Sequence, residues 1–505
     1  MPKLSLCLAA LPLLGLVARA ADDSVRVESG VLSGVAGLSP DVKVFKGIPY
    51  AAPPIGDLRW RAPKAPMKWE GVHEASKFGP ACMQVPYPEG SPYRSQPEPT
   101  SEDCLYLNVW TAARSVQEKR PVMVWIHGGA LTRGSGSTPV YNGEELAKKG
   151  VVLVTINYRL GVFGFLAHPE LTKESDRNSS GNYGILDQIA SLEWVHKNIS
   201  AFGGDPKRVT IFGESAGSWS VNALVATPLA KGLFQRAIGE SGANFAPLPK
   251  LADAEMAGLE VARFQRTPTL AALRAKPVDD LMKSRTEVAR PNIDGWLLPA
   301  DVRTIFLNHK QNDVPVLIGS NADEGSVFTP PTVKAESFEA LAKSRYGDSA
   351  KAFLKIYPAS NDEEARESSA EAFRDQTFGW EMRTWARLQA KTGKSKVYVY
   401  YFSRVPPGPV GKRFGAYHAS EIRYVFNNLF TGSVEDIDRK IADVMSSYWV
   451  NFAASGDPNG KRLPRWPAYS LKTNLAMGFG ERIATTEVPN KPALDFIDTH
   501  PLGPQ

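Results

Sequence analysis

Cysteine is scarce in this chain: three residues among 505, at positions 7, 82 and 104. So few thiols exclude a disulfide-dense scaffold and a cysteine-built metal framework. Histidine is almost as sparse, and the seven residues form no metal-ligand spacing. There is no G-x-x-x-x-G-K phosphate loop and no G-x-G-x-x-G fingerprint, so no metal or cofactor is implied. No internal repeat and no low-complexity tract is apparent. The formal net charge is only +6, with no basic stripe, which argues against a nucleic-acid partner. No segment is apolar for long enough to span a membrane. What remains, at 43% hydrophobic and 22% charged residues, is a soluble globular composition long enough to bury a large core.

The first twenty residues, MPKLSLCLAALPLLGLVARA, read as a secretory signal. Lys3 gives a short positive start, Leu4 to Val17 an apolar stretch, and Ala18-Arg19-Ala20 an A-x-A cleavage site. The stretch is too short for a membrane anchor, and Cys7 lies inside it, which weakens a lipoprotein reading. Cleavage would lower the net charge to +4 by removing Lys3 and Arg19. It would also leave Cys82 and Cys104 as an even pair in an exported protein, either secreted or periplasmic. One disulfide closing a loop of about twenty residues is expected, worth roughly 3 kcal/mol in the chain-entropy model.

The front of the mature chain alternates short strands and turns (VRVESGVLSGVAG, VKVFKGIPYAAPP) and reads as antiparallel. The texture then changes. Pro121 to Ile126, Val151 to Tyr158 and Val209 to Phe212 are near-continuous apolar runs, as suits strands buried on both faces. Between the last two, Ile185, Ile189, Leu192, Val195 and Ile199 fall on one helical face. Strand, helix, strand is a βαβ unit. Further strands are expected at 236–241, 314–320 and 396–405, with helical inserts near 250–310 and 333–392. The fold class is therefore α/β, a mostly parallel doubly wound sheet with helical insertions, carried by a single domain over residues 21–505.

One short motif stands out against this frame. VTIFGESAG carries Ser215 between Gly213 and Gly217, after a buried strand and before a helix-compatible run. Strand, sharp turn and helix is the setting a nucleophile elbow requires. The near repeat GESGA at Gly239 lacks the second glycine, so Ser241 is a poor nucleophile. A serine nucleophile needs a base, and the base an orienting acid, in the chain order Ser, Asp or Glu, His. Of the histidines after Ser215, His500 lies in a Pro-rich tail and His309 leaves little room for an acid. His418 is the best base. The loop SNADEG supplies Asp323 and Glu324, between which spacing does not choose. The small residues of His127-Gly128-Gly129-Ala130, with the N–H of Ala216, offer an oxyanion hole.

The motifs FKGIPYAAPPIGDLRWRAP, SEDCLYLNVW, WIHGGA, NYRLGVFGF, GNYGILDQ, FGGDPKRVTIFGESAG, SNADEG and GAYHASEIRYVF together resemble the type B carboxylesterase family, which includes cholinesterases and bacterial para-nitrobenzyl esterases. The resemblance covers nearly the whole mature chain. It implies an α/β-hydrolase fold, with Ser215 as nucleophile, Glu324 as triad acid and His418 as base. It also implies oxyanion donors at Gly129, Ala130 and Ala216, and a Cys82–Cys104 disulfide. Ser241 would support the acid and Glu214 would lie near the pocket. Ala130 departs from the family's usual glycine, and Leu131 from its frequent aromatic. Arg133, just beyond, either faces the site or points outward.

The expected function is serine-dependent hydrolysis of a small-molecule carboxylic ester. A catalytically idle binding or adhesion protein of the same fold is an alternative, disfavoured because every part of the site is present. An amidase or thioesterase with the same triad is another. Oligomeric state is not legible. Asn178-Ser179-Ser180 and Asn198-Ile199-Ser200 match the glycosylation pattern.

Overall fold

The computed structural model describes residues 24–94, 98–284, 290–429 and 433–500. The expected signal, residues 1–20, lies outside them. A central sheet of eleven strands organises the chain. In chain order these are β1 (Val35–Ala36), β2 (Lys43–Pro49), β3 (Tyr106–Thr111), β4 (Arg120–Ile126), β5 (Val152–Ile156), β6 (Gly204–Glu214), β7 (Arg236–Glu240), β8 (Val316–Asn321), β9 (Val397–Phe402), β10 (Leu475–Phe479) and β11 (Ile483–Glu487). Across the sheet they run β11, β10, β9, β8, β7, β6, β4, β5, β3, β2, β1. From β10 through β5 all neighbours are parallel. The strands before β4, and the last hairpin, pair antiparallel. The βαβ unit read from sequence is present, but β4 lies between its two strands.

The apolar runs are explained by burial on both faces. Along β4, Val122, Val124 and Ile126 enter one core while Met123 and Trp125 enter the opposite one. β5 divides likewise, with Val152, Val154 and Ile156 against Leu153. Side chains alternate along a strand, so a strand with helices on both sides must be apolar throughout. The helix α1 (Tyr183–Asn198) covers one face, and α2 (Ala216–Ala226) follows β6 directly. Two features have no counterpart in the sequence reading. The β10–β11 hairpin extends one edge, and the long helix Asp436–Ser455 packs its Ile441, Met445, Trp449 and Phe452 on the second face.

The stretches expected to be helical do hold helices. The first contains Leu251–Phe264, Leu270–Arg274, Val278–Leu281 and Val302–Leu307. The second contains Ala335–Tyr346, Ala350–Ile356, Asp362–Arg374 and Trp380–Thr392. Cys82 and Cys104 are joined, tying the front loop down beside β3. No helix of the described residues is long and apolar enough to cross a membrane. Of the two glycosylation matches, Asn178 is exposed. Asn198 is buried, with its amide donating to Trp194 O and accepting from Glu28 N–H.

Candidate active site

β6 ends at Glu214 and α2 begins at Ala216, which leaves Ser215 alone on the turn. Its backbone takes φ +58° and ψ −123°, a conformation that L residues rarely adopt. The surroundings enforce it. The N–H of Ser215 donates to Glu240 O, and its carbonyl accepts from Trp219 N–H. The flanking glycines are required by close packing: a Cβ on Gly217 would sit 2.0 Å from Ile126 O, and one on Gly213 2.6 Å from the same oxygen.

Glu324 and His418, the expected acid and base, lie on the loops after β8 and β9. Glu324 opens a short 3-10 turn and is fully buried. Its Oε2 meets His418 Nδ1 at 2.5 Å. Its Oε1 accepts from the N–H of Asn321 at 2.7 Å and from the Ser241 hydroxyl at 2.5 Å. The neighbouring Asp323 turns the other way and accepts from Ala416 N–H, pinning the strand of chain that leads to His418. Of the two carboxylates that the sequence left open, only Glu324 touches the imidazole.

The other face of His418 is apolar. Phe378 stacks on the ring at 4.5 Å and Phe328 lies at 5.2 Å. Phe378 sits in a single π-turn, Asp375–Gly379, between two α-helices. Phe328 and Phe373 touch each other yet remain 43% and 37% exposed, an apolar wall open to an incoming molecule. The Tyr93 hydroxyl donates to His418 O from the front loop. A cavity of about 360 Å³ lies beside the chain after Ser241, lined by Phe245, Leu248, Ile293 and Trp380 among others.

The structure does not join Ser215 to His418 through a hydrogen bond. Instead His418 Nε2 lies 3.1 Å from Oε1 of Glu214. Glu214 belongs to a buried quartet with Glu240, Glu324 and Glu421. Burial, then the field of the other three, raises the Glu214 carboxyl well above the usual range. Glu421 is raised for the same reasons, burial first. Neither Glu240 nor Glu421 was singled out by sequence. Each lies inside a motif, GESGA or GAYHASEIRYVF, that was read for its neighbour, Ser241 or His418.

The turn after β4 supplies backbone donors. Gly129, Ala130 and Leu131 all have positive φ, at 108°, 55° and 58°. A run of left-handed residues, two of them not glycine, stores strain that a loop keeps only where its surroundings impose it. No acceptor takes the N–H of Gly129, Ala130 or Ala216 among the described residues. Leu131 is fully buried in the core, so it does not stand in for an exposed aromatic. The neighbouring His127 is stacked on Tyr158, and burial lowers its pKa to about 4, leaving it neutral.

Residues 21–497 match the model of the Carboxylesterase family. This chain belongs to the carboxylesterase family. Ester hydrolysis is the activity that this membership carries. Among carboxylesterase relatives, the fumonisin B1 esterase of Sphingopyxis macrogoltabida is 38% identical over 496 residues, covering 93% of this chain and 89% of that one. The para-nitrobenzyl esterase of Bacillus subtilis (strain 168) is 37% identical over 471 residues, covering 89% and 93%. A solved PNB esterase structure superposes with a TM-score of 0.81 at 35% identity, covering 94% of this chain and all of that one. The α/β-hydrolase architecture of this carboxylesterase is thus shared.

The buried quartet makes a prediction for stability. Glu240 donates nothing: its Oε1 accepts from Trp449 Nε1 and its Oε2 has no partner. Burial holds its carboxyl up at about 8, from an ordinary 4.5. The native state therefore keeps a proton that the unfolded chain has released. The contribution is full below about pH 4.5, declines as pH rises, and is exhausted above about 8. Glu240→Gln keeps the Trp449 acceptor and places an amide where the unpaired oxygen was. The variant should match the parent near pH 5 and exceed it by about 3 kcal/mol near pH 9. Urea unfolding at the two pH values measures this; parallel pH slopes would exclude it.

Proposed function

We propose that this chain is an exported serine carboxylesterase working through an acyl-enzyme intermediate, with Ser215, Glu324 and His418 as its triad. The observation that carries the reading is the Glu324–His418 contact, with the acid held from behind by Ser241 and Asn321, set beside a serine on a strained strand–helix turn. Ser215 rotates to take the position at His418 Nε2 that faces Glu214. His418 then removes the hydroxyl proton as Oγ attacks the ester carbonyl. The oxyanion that forms is met by the N–H groups of Gly129, Ala130 and Ala216, with the α2 N-terminus adding its positive end. The C–O bond to the alcohol breaks, and the imidazolium protonates the leaving oxygen. Water, deprotonated by His418, attacks the acyl carbonyl, the C–Oγ bond breaks, and the imidazolium returns the proton to Ser215 Oγ as the acid leaves. Glu324 fixes the tautomer and stabilises the imidazolium throughout.

Export rests on the signal-like start and on the Cys82–Cys104 bridge, which suits an oxidising compartment. Residues 21–505 act in this reading as one catalytic unit, whose inserts wall the site.

A serine-directed phosphonate ester tests the mechanism. It should add once per chain, on Ser215 by peptide mass, and stop hydrolysis of para-nitrophenyl esters from acetate to decanoate. Label on another residue, or full turnover by labelled protein, would overturn the assignment. A folded chain that neither turns over these esters nor takes label would be the idle binding protein.

A further inference from the structure

Arg133 differs from the fully buried arginines among the described residues. Each of the four buried ones meets a carboxylate: Arg59 meets Glu102, Arg159 meets Asp187, Arg383 meets Asp495 and Asp498, and Arg404 meets Asp438. Arg133 is half-buried, yet no carboxylate lies within ion-pair distance of it among the described residues. Its guanidinium lies over the ring of Tyr87, 5.3 Å from the centroid. Stacking satisfies the flat face of a guanidinium and leaves its edge of N–H donors open.

The place of this free edge is specific. Arg133 is on the same turn as the candidate oxyanion donors, and its own N–H donates to Gly129 O. The Tyr87 hydroxyl borders Gly129, 3.2 Å from where a Cβ on that glycine would stand. Tyr87 also packs on Tyr93, which holds the His418 carbonyl. The Tyr87 hydroxyl feels both Glu214 and Arg133, which puts the guanidinium in electrostatic reach of the residue beside Ser215. An uncompensated cation beside the oxyanion turn favours an anion, and a planar fork favours a carboxylate bound through two parallel hydrogen bonds.

We propose that Arg133 is a specificity-determining residue that binds a free carboxylate of the substrate, so that the preferred esters carry a second, unesterified carboxyl group near the scissile bond. This rests on the site and reaction proposed above. The carboxylate can belong to the acyl part, as in a half-ester of a dicarboxylic acid, or to the alcohol part; the test separates the two.

Two matched pairs serve, each followed by acid release in a pH-stat. Ethyl hydrogen glutarate against ethyl pentanoate places the charge on the acyl side. 4-Acetoxybutanoate against butyl acetate places it on the alcohol side. The wild type should favour the charged member of one pair by about tenfold or more in kcat/KM, mainly through KM, and the preference should shrink as salt is added. Arg133→Gln should remove most of that ratio. Arg133→Lys, which keeps the charge without the fork, should restore part of it. The proposal is overturned if the wild type favours the neutral member of both pairs. It is equally overturned if Arg133→Gln leaves the charged-to-neutral ratio unaltered. Wild-type turnover of the neutral esters tests the underlying reaction separately, since Arg133 has no charge to bind there.

Discussion

Ser215→Ala should lower kcat/KM on para-nitrophenyl esters by about 10⁴-fold or more, with no loss of folded protein. The effect is large because, in the proposed mechanism, the Ser215 hydroxyl oxygen forms the ester bond of the acyl-enzyme, and no other group stands in its place. Ser241 is the nearest alternative by motif, but its hydroxyl is spent on Glu324 Oε1 and it is fully buried. Stability should barely change, because no hydrogen bond of the Ser215 hydroxyl contributes to the fold. Ser215→Gly sharpens the test. Glycine adopts φ +58° and ψ −123° without the steric cost a side chain bears. That variant should be equally inactive yet more stable, by about 1 kcal/mol. Ester turnover, with thermal unfolding of all three proteins, checks both halves. Retained turnover in Ser215→Ala would remove the serine from the mechanism.

The elbow was legible because its physical demands are local. Gly213 and Gly217 flank the serine since both backbones press against Ile126 O, and this leaves a short pattern in one stretch of sequence. The central strands were legible for a similar reason: burial on both faces makes β4 apolar from Pro121 to Ile126 and β5 apolar at every position but Thr155. The acid was harder. Asp323 and Glu324 are adjacent carboxylates in one loop, and only the 3-10 turn that starts at Glu324 decides which of them points inward. Family resemblance chose the residue that the geometry places on His418. Two members of the quartet, Glu240 and Glu421, were passed over. Glu240 ends β7 and Glu421 follows the base, and each reads as an ordinary turn carboxylate until the sheet brings them together. The hairpin β10–β11 escaped because its second strand is largely exposed, with Thr485, Thr486 and Glu487 giving no buried alternation.

Glu324→Gln should cost about 10³- to 10⁴-fold in kcat, whereas Asp323→Asn should stay within about threefold. The reason lies in which end of the new amide faces the base. Oε1 of Glu324 accepts from the backbone N–H of Asn321, a donor that cannot reverse. A glutamine there keeps its oxygen toward Asn321 and the Ser241 hydroxyl. Its NH₂ group then faces His418 Nδ1, where the carboxylate had accepted a proton-bearing nitrogen. The imidazole must present a lone pair at Nδ1 and carry its proton on Nε2. That tautomer cannot take a proton from Ser215. Asp323 makes no contact with the imidazole, and its one backbone acceptor role toward Ala416 survives in asparagine through Oδ1. The pair of variants therefore separates an orienting acid from a loop anchor one residue away. Loss of turnover in Asp323→Asn with turnover kept in Glu324→Gln would move the acid by one position. Equal loss in both would mean that the loop after β8, rather than a particular carboxylate, governs the base.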